Sequence, residues 1–308
     1  MKKHCMNQFY PVLIKKNGTI LHNVFATSHK DLIGKYIKPE DDMNKTYFRA
    51  TYTSTSDNRF DDLENYQLII NETYIPEWFT DKLRISTIKK LNLIIASMIV
   101  RGRKEILLHE GAILIGNAWV GEVKNSKIFV MYDNSTIVNV SEGSVIKLMT
   151  DDSTINNISD NSKIEEICGY AQIKEMHDNA KINQMSQQAK IGKMYGYSRI
   201  EMLKGDANIS EMYQTSKADR LKHMSKVDEM HGHSIIEEMR DWSIVEKMFD
   251  QSKVNHMNED SKVIEMYGNS IIEHMEGNAV VEKLYENSLV RKIESMARIL
   301  EQQLNKKS

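Results

Sequence analysis

Ser261-Lys-Val-Ile-Glu-Met-Tyr-Gly-Asn269 is followed at once by Ser270-Ile-Ile-Glu-His-Met-Glu-Gly-Asn278. The same nine-residue phrase runs from Ser126 to Met296 in nineteen copies. Its template is [Ser/Ala]-x-[Ile/Val]-x-x-[Met/Leu/Ile/Val]-x-x-x. Place one is Ser or Ala in every copy, and place three is Ile or Val in all but one, Ala218. Repetition at a fixed period means one structural unit stacked on itself.

A helix is excluded by arithmetic. The apolar places recur at spacings of 3 and 6, and at about 100° per residue they fall near 0°, 300°, 180° and 120°, with no shared face. As strands the pattern works, because places one and three point the same way in a period-two chain. Place six begins the next inward contact. Places seven to nine are rich in Gly, Asn and Asp, as in Tyr267-Gly-Asn269, and Gly and Asn tolerate the left-handed backbone of a corner.

Place seven sets the number of repeats per coil. His177, Tyr195, Tyr213, His231, Phe249, Tyr267 and Tyr285 recur at a spacing of 18, and the copies between carry Cys168, Ser186, Lys204, Lys222, Arg240, Asn258, Glu276 and Glu294. Such alternation predicts two nonapeptides per 18-residue coil, with rings stacked on one edge. About nine regular coils at ~4.8 Å each give a rod of roughly 45 Å. Right-handed coiling is the commoner outcome for parallel crossovers. The interior is expected to be an Ile/Val ladder beside a Met ladder; Met holds place six in 12 of 19 copies, and its unbranched chain suits a thin core.

Outside the repeats, Phe9–Ile14 and Thr19–Phe25 flank Asn17-Gly18, a hairpin signal. Tyr47–Tyr52 and Tyr66–Ile70 read as further strands. Pro76 precedes an amphipathic pattern over 80–98, read as a helix capping the open end of the solenoid. Residues 106–108, 112–115 and 119–120 return to strand, and Ala118–Asn125 is an eight-residue, imperfect copy. The fold class is therefore mainly β. Residues 1–100 form a small α/β head, 101–296 a parallel β-solenoid regular from 126, and 297–308 a cap or tail. Arg298-Ile-Leu-Glu-Gln-Gln-Leu304 reads as a short helix or frayed end.

Residues 1–116 carry 17 Lys/Arg against 13 Asp/Glu and the remainder 24 against 30. Neither half has the dense single-sign charge of a nucleic-acid binder. Two cysteines, Cys5 and Cys168, suggest no disulfide framework and a reducing cytoplasm. Cys168 reads as a variable surface position. The first seven residues lack the apolar run of a signal peptide, and Leu93–Val100 is too short to span a bilayer. The expectation is a soluble, cytoplasmic protein, with a place in a virion left open.

No Ser/His/Asp series, phosphate loop or Cys/His quartet stands out, so no catalytic residue, metal site or cofactor is assigned. The Gly-Gly-x-Gly-x-Asp motif of calcium-binding solenoids is absent from every copy. His256 and His274 share place five one coil apart, but the same column offers only Glu238 below and Lys292 above, and both read as solvated histidines. The aromatic edge of Tyr195, Tyr213, His231, Phe249, Tyr267 and Tyr285 is the candidate binding strip, weighed against a purely structural ladder. Lys204, Lys222 and Arg240 form a short basic column on the opposite edge.

Pro76-Glu-Trp-Phe79 and the pairs Asn134-Ser135, Asn161-Ser162, Asn269-Ser270 and Asn287-Ser288 carry a resemblance. The chain resembles uncharacterised nonapeptide-repeat proteins of gut bacteria, their phages and mobile elements, with the pattern Asn-Ser-x-Ile/Val-x-x-Met. The resemblance implies a β-solenoid in a phage or mobile-element setting and brings no active residues. The expected function is a non-enzymatic scaffold whose regular surface meets a macromolecular partner, a protein first. The alternatives are a DNA-mimicking inhibitor of a nucleic-acid enzyme, or a polysaccharide-binding or polysaccharide-cleaving solenoid.

Overall fold

The computed structural model describes residues 9–43, 46–54, 61–108 and 110–304. It divides into two compact units, one reaching Val100 and taking in Gly111–Ile113, the other made of Arg101–Glu110 and the chain from Leu114 onward.

The first unit is an antiparallel sheet with helices on both faces. Its strands β1 (Phe9–Lys15), β2 (Ile20–His22), β3 (Tyr47–Ser54) and β4 (Tyr66–Ile70) lie in the order β2-β1-β3-β4. Asn17-Gly18 makes the β1–β2 turn, with Gly18 at φ +77° and its N–H donating to the Lys15 carbonyl at 2.8 Å. Alternation sends Leu13 to one face, where it packs with Ala26 and with Leu32 of helix α1 (His29–Tyr36). The other face presents Tyr10, Val12 and Tyr52 to Leu91 and Ile95 of helix α3 (Asp81–Met98), which is capped by Thr80. Phe79, just before α3, stacks on Phe48 at 4.6 Å. Helix α1 and the short helix α2 (Pro39–Met43) are additions to the sequence reading. The signal for α1 was present: Ser28 and Asp31 form a capping box, each side chain meeting the other's backbone N–H.

The second unit is a parallel β-solenoid. Five-residue strands such as Lys253–Met257 and Lys262–Met266 alternate between two long parallel sheets, and through the regular copies each strand pairs with the one 18 residues away. Val245 faces Val263 and Met248 faces Met266 in register. Places one, three and six are buried in copy after copy, and places two, four and five point outward. With places four and five both outward, the strand bends between them. Two outward pairs of rows result: places two and four, then five and seven.

The corner completes the coil. Around Tyr267-Gly-Asn269, the N–H of place seven donates to Met248 O at 2.8 Å and that of place nine to Asp250 O at 2.7 Å; Ser270 N–H turns back to Tyr267 O at 3.3 Å. Place eight is left-handed, as in Asp250 (φ 57°), Gly268 (φ 66°) and Glu286 (φ 58°). Its N–H is met by a side chain from the next coil: Gly232 N–H donates to the Asp250 carboxylate at 2.9 Å, and Gly268 N–H to Glu286 at 2.6 Å. Non-glycine residues here accept a left-handed backbone that costs about 1–2 kcal/mol, and a charge-assisted hydrogen bond of similar size offsets it.

Two expectations change. The rod is longer than the regular copies, because Arg103–Leu107 opens one sheet and Arg298–Leu304 closes it; twelve strands span roughly 50 Å. The segment 298–304 is that closing strand and not a helix, pairing Ile299 with Val281 and Gln302 with Leu284. Its residues suit a helix, but the edge of Val280–Glu286 offers a row of main-chain partners, and Ala297 and Ile299 still keep places one and three. Tertiary context overrides local propensity there. The tail 305–308 lies outside the described residues.

Place one carries a test of what the core demands. Ser252, Ser243, Ser261 and other place-one serines are fully buried, and their hydroxyls have no hydrogen-bond partner among the described residues. Ala171, Ala189 and Ala207 fill the same place, so size is what the site selects. Ser252→Ala is expected to leave stability unchanged or raise it by about 1 kcal/mol, since an unpaired buried hydroxyl is removed. Ser252→Leu is expected to cost about 1–3 kcal/mol through overpacking. Chemical denaturation of both variants measures this, and a clear loss in Ser252→Ala would show that the hydroxyl is used.

Candidate functional site

The exterior consists of rows, and each row has a chemistry set by its place in the repeat. The aromatic edge forms as one continuous stack. Ring centroids of His177, Tyr195, Tyr213, His231, Phe249, Tyr267 and Tyr285 follow one another at 4.8–5.2 Å, with planes within 6–13°. The spacing is the strand spacing itself, so parallel pairing forces the rings face to face. Every ring from Tyr195 to Tyr267 is covered on both faces by its neighbours.

The ring edges are engaged as well. Place five lies two residues before place seven, on the same side. From there Glu175 meets His177 at 3.0 Å, Glu229 meets His231 at 3.1 Å, and Glu265 accepts from the Tyr267 hydroxyl at 2.9 Å. Tyr213 donates to Glu211 in the same way. Lysines complete the column: Lys193 reaches Glu211 at 3.3 Å and Lys283 reaches Glu265 at 3.2 Å. Hydrogen bonding to Tyr213 and Tyr267 holds the Glu211 and Glu265 carboxyls below the usual carboxylate range, and both phenols are pushed up to about 12.

Places two and four make a second network, a diagonal of ion pairs across adjacent coils. Lys253 meets Glu273 at 2.7 Å, Lys262 meets Glu282 at 2.9 Å and Lys226 meets Glu246 at 2.5 Å; Lys217 pairs with Glu237 likewise. The step is 20 residues, 18 to the next coil and two along the strand to the same side. Such exposed pairs contribute little singly and matter as a regular network.

The opposite corner differs. Of the basic column, Arg240 is bound to Glu238, its own place-five neighbour, at 2.6 Å. Cys168 is 1% exposed, which corrects its reading as a variable surface position. The repeat pattern shows that place seven points away from the core but not whether the corner is covered. Tyr132, Thr150 and Ser186 in the same column are buried too. Cys5 lies outside the described residues. No helix among the described residues is long and apolar enough to cross a membrane.

Two features escaped the sequence reading. At place nine of this corner, Met224 and Trp242 stand in consecutive coils, 60% and 62% exposed. Most copies have a polar residue there, and that contrast was the available signal. His256 and His274 do lie one coil apart with ring centroids 4.5 Å from each other, edge to face at 88°, and they are not without acidic company. His256 Nε2 lies 3.3 Å from Glu276 and His274 Nε2 lies 2.8 Å from Glu294. The column search failed because the partner sits diagonally, 20 residues on, and not directly above.

No protein family, curated protein or solved structure matches the chain.

The phenol–carboxylate pairs set a pH signature. A carboxyl whose folded pKa is depressed adds stability above its unfolded pKa and loses it as pH falls through the folded value. Tyr213→Phe keeps the ring in the stack and removes the donor to Glu211. At pH 7 it is expected to cost less than about 1 kcal/mol, since Glu211 is partly solvated. The difference from the parent should shrink as pH falls below the ordinary carboxylate range and through the depressed Glu211 value, where the carboxyl becomes protonated. Thermal melts across that range measure it; an equal difference at both ends would remove Glu211 as the cause.

Proposed function

We propose that the chain is a non-enzymatic β-solenoid scaffold that engages a protein partner through the corner bearing Met224 and Trp242. The observation carrying this is the contrast between rows. The aromatic ladder uses its faces on itself and several of its edges on Glu175, Glu211, Glu229 and Glu265, which supports a structural role for it. Trp242 and Met224 instead extend a large apolar surface into water, one coil apart, each just beyond a strand that pairs with neighbouring coils. Burying such a pair rewards a partner by about 1.5–3 kcal/mol per side chain. Tryptophan anchors of this kind dominate protein interfaces, and a preordered one loses little entropy on binding. Lys222, two residues before Met224, adds a cation to the rim of this patch. The phage or mobile-element setting implied by the resemblance belongs to this proposal.

The test uses the full-length protein as bait in lysate of its native host, followed by binding measurements with the purified retained protein. Trp242→Ser and Met224→Ser are expected each to weaken that binding at least tenfold with melting temperature unchanged, while Phe249→Ser lowers the melting temperature and leaves affinity intact. Undiminished binding in Trp242→Ser, or retention of polysaccharide or nucleic acid in place of protein, would overturn the proposal.

A further inference from the structure

The edge-to-face pair His256–His274 and its two glutamates have an arrangement that solvated surface histidines do not need. Two imidazoles sit in one column and two carboxylates in the next, in consecutive coils, so that like faces like along each column and His faces Glu across them. Carboxylates one coil apart repel, and the neighbouring imidazole nitrogens are good ligands but poor counter-charges when neutral. A dication between the columns satisfies both.

We propose that His274, Glu276 and Glu294, with His256 as fourth ligand, form a binding site for a divalent transition-metal ion of the zinc type. The site is independent of the protein partner proposed above.

The geometry fits such an ion closely. One ligand atom from each of His274, Glu276 and Glu294 lies within 4.8 Å of the other two. Ligands held at 2.0–2.1 Å in a tetrahedron stand about 3.3 Å apart. His256 Nε2 to Glu276 Oε1 is 3.3 Å and His274 Nε2 to Glu294 Oε2 is 2.8 Å. The backbone that carries these ligands is fixed by parallel pairing, Met257 against Met275 and His256 against His274. Glu294 is divided between two roles: Oε1 takes the Lys292 ammonium at 2.7 Å, and Oε2 faces His274. Mixed imidazole and carboxylate donors select zinc, cobalt or nickel over calcium, which needs six or more oxygens. The half-buried position of His274, whose side chain is 19% exposed, limits competition from water while Glu294 leaves the site open on one side.

Other His–Glu pairs on the chain supply the internal control. His231 beside Glu229 sits between Tyr213 and Phe249 in the aromatic stack, so neither of its stacking neighbours is an imidazole. Zn²⁺ titrated into the metal-free full-length protein by calorimetry is expected to fill one site per chain. Co²⁺ should give the visible absorption of a four-coordinate ion. His274→Ala and the isosteric Glu294→Gln should each lower Zn²⁺ affinity at least tenfold, with the fold verified by circular dichroism, and His231→Ala should leave it unchanged. Absence of binding, several weak equivalent sites, or binding that survives both His274→Ala and Glu294→Gln would each overturn the assignment.

Discussion

Every structural feature of the repeat unit descends from one hydrogen-bonding constraint: main-chain donors across the strands and corners pair with the coil next door, at a register of 18 residues. The strands achieve this as parallel ladders, and the corners by the same link continued through places seven, nine and two. Place eight lies at the left-handed turn, and a side chain such as Asp250 or Glu286 from the following coil meets its N–H. Where Gly268 occupies the turn, a Cβ would stand 3.0 Å from the Asp250 nitrogen at φ +66°, so glycine relieves both contact and strain. Neighbouring copies accept Asp or Glu because the capping bond compensates.

Once the register is fixed, identical places stack at strand spacing and each column becomes a chemical series. Inside, Ile/Val and Met columns form a core buried from solvent. Outside, the same spacing turns aromatic residues into a continuous stack and charged ones into a diagonal network. These rows serve the rod first. A residue that breaks the pattern of its column, as Trp242 and Met224 do at place nine, is therefore where recognition is best sought. Columns of mutually unfavourable charge, as at Glu276 and Glu294, are where a ligand ion is best sought.

Much of this was legible from residues alone. The small, branched and unbranched apolar places gave the inward positions, and the aromatic period of 18 gave two nonapeptides per coil. Tyr66–Ile70 was read with the bounds it has in the structure, and helix α3 within a residue. What remained hidden had physical causes. Diagonal contacts between places five and seven depend on how side chains lean across neighbouring strands, so His274 and Glu294 were not paired by looking up a column. Helix α1 is brief, and its capping box at Ser28 and Asp31 was overlooked beside the stronger strand signals. Residues 298–304 have helical propensity that a waiting sheet edge overrides. Burial of Cys168 depends on what lies over a corner, which no repeat pattern encodes.

The two-nonapeptide coil can be tested by excising copies and following thermal unfolding. Removing residues 207–224 deletes one whole coil and brings His231 onto Tyr195, so every column continues. Removing residues 207–215 deletes half a coil and brings Lys222 onto Tyr195, dividing the aromatic stack between two corners. The account predicts a melting temperature close to the parent for the 18-residue deletion and a clear drop for the nine-residue one. Equal melting temperatures for the two deletions would contradict a coil of 18.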